Sequence, residues 1–119
     1  MPVVIPALAA MVVAAAASPS PFGSWARGDG QAKVSVYTCG AAICAKNTWI
    51  RDPASSEKVG DILVMNLKSA GTAEWTGDAY DAKRGMTYAM TMNVAQETMT
   101  TRGCQLAVIC RTVSWTRIR

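Results

Sequence analysis

Four cysteines in two short-range pairs, Cys39/Cys44 and Cys104/Cys110, are the side chains with the richest chemistry in this chain. Such a set could hold zinc, exchange electrons or crosslink the polypeptide. Zinc accepts comparable ligand spacings, but the strand pattern described below sends the two pairs to opposite ends of the fold. A redox pair needs Cys-x-x-Cys, or a helix terminus that depresses a thiol pKa, and the spacings here are longer. Crosslinking is the expectation, with Cys39 bonded to Cys44 and Cys104 to Cys110.

The chain contains no histidine, which removes the commonest general base and the commonest metal ligand together. Ser-His-Asp and Cys-His catalysis are therefore excluded. Gly28-Asp-Gly30 lacks the lysine and following helix of a phosphate loop and reads as a hairpin turn. Glu74, Asp78 and Asp81, with Tyr80, form the remaining constellation for acid–base work. Glu74, Asp78 and Tyr80 alternate with Trp75, so they fall on a solvated face. No catalytic residue, cofactor or metal is expected.

Binding chemistry has more material. Met86, Tyr88, Met90, Met92, Met99, Trp75 and Val113 are apolar groups on neighbouring segments that share an inward face. Methionine adapts its shape to irregular surfaces, and a barrel of eight strands holds either packed side chains or one small ligand. The expectation is a small apolar or amphipathic ligand at an open mouth, contacted by Trp49, Trp75, Met90 and Met92. The alternative is an envelope module with a filled core that binds another protein through loops such as Asp52–Gly60.

Positioning these groups requires strands. Apolar and polar residues alternate with period two in Ala32–Tyr37, Thr72–Tyr80, Met86–Val94 and Arg111–Ile118. In the last segment Arg111, Val113, Trp115 and Arg117 share a face. Turn signals at Gly28–Gly30, Cys39–Gly40, Asp52–Pro53, Ser69–Gly71 and Asp81–Gly85 separate the runs. The pattern predicts eight strands: Ser24–Arg27, Lys33–Thr38, Cys44–Ile50, Asp61–Leu67, Ala73–Tyr80, Met86–Asn93, Gln96–Gly103 and Cys110–Arg117. Their short connections imply an all-β antiparallel meander, which closes into an up-and-down barrel or stays open as a sandwich. Successive loops of a meander alternate ends. The second loop holds Cys39 and Cys44 and the seventh holds Cys104 and Cys110, so the pairs lie too far apart to exchange partners.

From Val3 to Ala17 the sequence is apolar and rich in alanine, and it ends in the small residues Ala15–Ser18. That run is shorter than the roughly 20 residues of a membrane span and predicts a cleaved signal-peptide helix over residues 1–18. Residues 19–119 then form one domain, periplasmic or secreted and not integral to the membrane. The net charge of +4 is spread among acids, which reads as a solvated surface without a nucleic-acid partner.

Several segments occur together in order: Gly23-Ser-Trp25, Val34-Ser-Val-Tyr37 before Cys39-Gly40 and Cys44, Trp49-Ile-Arg-Asp-Pro53, Gly77-Asp-Ala-Tyr-Asp81 with Gly85-Met-Thr-Tyr88, Arg102-Gly-Cys104 and Ser114-Trp-Thr-Arg117. The series resembles the DUF2147 family of exported bacterial proteins, and the resemblance implies a lipocalin-like β-barrel over nearly all of residues 19–119. Ala54–Gly60 is shorter than the corresponding family segment, and Ala45 and Ala82 stand where Gly and Pro are common. In such a closed barrel the first and last strands are neighbours, so Arg117 is expected to lie over Trp25 as a structural latch.

Overall fold

Each alternating run leaves one face of a strand to bury, and this chain buries those faces by rolling a single sheet shut. The computed structural model describes residues 2–7 and 19–119. Eight strands follow one another: β1 (Gly23–Arg27), β2 (Ala32–Cys39), β3 (Ala42–Ile50), β4 (Ile62–Ser69), β5 (Glu74–Asp81), β6 (Met86–Val94), β7 (Thr98–Gln105) and β8 (Ile109–Ile118). Each pairs with the next, and β8 pairs antiparallel with β1 to close the barrel. The eight-stranded antiparallel barrel expected from the sequence is the fold found, and the sandwich is not. The expected signal-peptide helix lies outside the described residues, apart from residues 2–7, which are exposed and carry no regular secondary structure. Among the described residues no helix is long and apolar enough to cross a membrane.

Connections alternate between two ends. Loops 40–41, 70–73 and 95–97 lie at the base, and loops 28–31, 51–61, 82–85 and 106–108 surround the mouth. The cysteines pair within their hairpins. Cys39–Cys44 sits at the base and Cys104–Cys110 at the mouth, with Cα–Cα separations of 5.8 and 4.0 Å.

Inward side chains fill the lower half of the barrel. Trp25, Val36, Met65, Ala79, Met92 and Met99 are all buried in one cluster. Gly77 lies on this inner face opposite Leu67 of β4, where a Cβ would run into the Asn66 carbonyl. Glycine therefore lets β4 and β5 approach closely at this point.

Closure is reinforced at the base. Trp25, fully buried, donates its indole N–H to the Pro21 carbonyl at 2.9 Å. Arg117, its partner across the β1–β8 seam, places its guanidinium carbon 4.2 Å from the centre of the indole. The same guanidinium donates to the carbonyls of Gln96, Phe22 and Ser20 at 2.8, 3.0 and 2.7 Å. One side chain thus joins β8, the 95–97 loop and the segment before β1.

Two outcomes follow from this geometry. Gly77→Ala is expected to lower unfolding stability by about 1–3 kcal/mol through forced separation of β4 and β5. Arg117→Lys keeps the charge but loses the planar fork, and is expected to cost about 1–3 kcal/mol in hydrogen bonds from a charged donor. Urea unfolding followed by tryptophan fluorescence measures both.

Candidate functional site

The packing that fills the base stops short of the mouth. Inward positions there include Ala45 on β3 and Gly103 on β7, which contribute little or no side chain. Between them remains a cavity of about 290 Å³. Its wall is apolar, formed chiefly by Val34, Leu63, Met90, Val113 and Trp115. Tyr88 and Thr101 also line it. The Trp115 indole N–H donates to Thr101 Oγ1 at 3.0 Å, which fixes the ring against the β7 wall. An apolar chamber with a few oriented polar groups is the usual composition of a small-ligand site.

The rim is ionic. Arg27, Glu57, Asp61, Asp81, Arg84 and Arg111 surround the opening. Arg27, with a side chain only 11% exposed, grips Glu57 through two bonds of 2.7 and 2.9 Å. Its Nε also donates to Asp29. On the other side Lys83 pairs with Asp61 at 3.2 Å and also donates to the Ser56 carbonyl. Arg84 pairs with Asp81 at 2.8 Å. Loop 51–61 is therefore clamped over the mouth between β1 and the β5–β6 turn. Arg111, exposed at the end of β8, makes no ion pair among the described residues. Its charge still reaches Glu57 and Asp29, helping to lower both carboxyl groups.

These contacts set the protonation states. The hydrogen bond from Arg27 holds the Glu57 carboxyl below the usual carboxylate range, against an opposing effect of burial. Asp61 is lowered by the Lys58 backbone N–H, against an opposing effect of burial, and further by the Lys83 ammonium. Both therefore stay ionised to lower pH than they would in the unfolded chain.

The model of the family described as "Uncharacterized protein conserved in bacteria (DUF2147)" matches residues 23–117, from the start of β1 to the latch arginine. The chain belongs to the DUF2147 family. No curated protein and no solved structure matches it.

Within this DUF2147 barrel the four residues expected at a ligand site are dispersed. Met90 lines the cavity. Met92, two residues nearer the base, is 1% exposed and belongs to the packed core. Trp75 packs against the same core from the base end of β5. Trp49 lies on the outer wall, 40% exposed, with the Lys33 ammonium 5.1 Å above its ring. A bulge explains its position. Val34 pairs with Asn47 but Lys33 with Trp49, so Thr48 is an extra residue that flips the alternation. Asn47 therefore faces the cavity while Trp49 faces outward. Of the carboxylate constellation, Asp81 alone reaches the rim; Asp78 and Tyr80 are exposed and Glu74 borders a groove at the base.

Trp115 and Arg111 were not singled out from the sequence as ligand contacts. The signal was present in their alternation with Val113 on β8. Because both loop carboxylates have depressed pKa values, their pairing contributes stability that is full above the unfolded value and is lost as pH falls through the folded one. Amide exchange in residues 52–60 is expected to accelerate, after correction for intrinsic rates, below about pH 4. Glu57→Gln is expected to loosen the loop already at neutral pH and to flatten that acid response.

Proposed function

We propose that this DUF2147 barrel is a non-catalytic carrier or sensor of a small amphipathic anion, working in an oxidising compartment outside the cytoplasm. The observation that supports it most is the chamber itself: an apolar pocket of about 290 Å³ inside an otherwise packed barrel, opening at Arg111. That volume is near the lower end of the roughly 300–1,000 Å³ common for ligand sites. A short to medium acyl chain or a single substituted ring suits it better than a full lipid. The apolar part would lie against Met90, Leu63 and Trp115, and the anionic head would meet the Arg111 guanidinium.

Two features support binding without chemistry. The rim carboxylates Glu57, Asp61 and Asp81 are each committed to a cation. A general acid needs a raised pKa, whereas Glu57 and Asp61 are lowered. Two hairpin disulfides support the oxidising compartment.

Titration with a series from butanoate to tetradecanoate tests the reading, with Trp115 fluorescence as the signal. A saturable response is expected, with an optimum at intermediate length. Ala45→Phe should abolish it by filling the chamber. Arg111→Gln should weaken binding of the acids by about tenfold, the value of a charge-assisted hydrogen bond, and leave the matching alcohols unaffected. A flat response across the series would refute the proposal.

A further inference from the structure

The β7–β8 hairpin ends in a tip that the barrel does not need. Leu106, Val108 and Ile109 are 87%, 80% and 62% exposed. The Val108 N–H donates to the Gln105 carbonyl at 3.3 Å, closing a four-residue turn at the three-residue loop 106–108. Its central residues, Leu106 and Ala107, have φ of 51° and 60°. Positive φ at both central positions is the pattern of a type I′ turn, which favours Asn-Gly. Leu-Ala at these positions carries a local conformational cost. The Cys104–Cys110 crosslink directly beneath holds the turn in place. A strained, stapled loop that displays aliphatic groups to water points to a role outside the fold.

Charge indicates what meets it. Thr98–Arg119 contains four of the 12 Lys and Arg residues and none of the 8 acids. The remaining residues therefore cancel, and the net charge of +4 resides in this stretch, with Arg102 and Arg111 towards the tip and Arg117 and the Glu97-paired Arg119 at the base. Arg102 and Arg111 flank the tip, are exposed and make no ion pair among the described residues. Three aliphatic side chains on a convex turn offer far less than the roughly 800 Å² per partner of a stable protein interface. They also lack the Trp or Tyr anchors typical of one. Shallow insertion into a lipid surface needs neither area nor shape complementarity, and flanking arginines add attraction to anionic headgroups.

We propose that the Leu106–Ile109 tip is a wedge that docks the barrel on an anionic bilayer. Docking through this tip sets the mouth against the lipid surface, because Gly103 and Arg111 of the same hairpin line the opening. The wedge stands independently of the ligand reading. Leu106 and Val108 do not line the cavity, so their substitution leaves the acid titration unchanged.

The test uses the full chain and vesicles of phosphatidylglycerol with phosphatidylethanolamine, and compares it with a Leu106→Asn/Val108→Ser double variant. Asn suits the positive φ that Leu106 adopts, so the thermal midpoint of the variant should not fall. Vesicle partitioning should drop by about tenfold or more, from loss of the inserted apolar groups. Amide exchange in residues 104–110 of the wild-type chain should slow on vesicles, a local readout that binding through any other segment would not produce. Arg102→Gln should weaken binding to the anionic vesicles and abolish part of its salt dependence. Equal partitioning of wild type and double variant would overturn the proposal. So would unprotected hairpin amides, or equal binding to pure phosphatidylcholine, and the tip would then fall to a protein partner.

Discussion

β1 and β8 must meet for this sheet to close, and what holds them is an arginine lying on a buried indole. β1 is short, Gly23–Arg27, and brings few side chains to the interior. Trp25 is its large contribution, and Arg117 covers the ring while binding three carbonyls from two other segments. A closed sheet has no unpaired edge to recruit another chain. It also gives every inward side chain a fixed neighbour on each side. Packing at the base, the chamber at the mouth and the clamped loop above it all presuppose that seam.

The interior is divided unevenly. Methionines and branched side chains close-pack around Trp25, while the opposite end is thinned by Ala45 and Gly103. The difference is largely one of residue size at inward positions, since all eight strands belong to one closed sheet. Ion pairs then do at the rim what packing does at the base. Arg27 and Lys83 hold loop 51–61 from opposite sides, so the opening is bordered by fixed charges and by Arg111, which makes no ion pair among the described residues.

The architecture was readable because alternation and turn residues are local signals. Eight strands, their order and the disulfide partners follow from period-two patterning and loop parity, without any knowledge of side-chain contacts. Strand ends shifted by a few residues: β7 runs Thr98–Gln105 rather than from Gln96, since residues 95–97 form the turn. The site was harder to read for physical reasons. Met90 and Met92 look equivalent in sequence, yet only register decides which is opposite Gly103 and which lies deeper in the core. Trp49 looks like an inward aromatic until the ladder shows an unpaired Thr48. Alternation puts Arg111 and Trp115 on one face, but their meeting with Leu63 and Met90 from across the barrel depends on closure geometry that no single segment contains.

The extra residue at Thr48 gives the barrel a discrete adjustment. Side-chain phase along β3 reverses there, so taking Thr48 into the ladder opposite Lys33 would bring Trp49 opposite the buried Ala32 and turn its indole inward. Occupancy of the interior would then change by a one-residue slip in a single strand instead of by repacking many positions. Relatives of the same length that pair straight through this point would be expected to differ in what they enclose, even where their sequences here are the same.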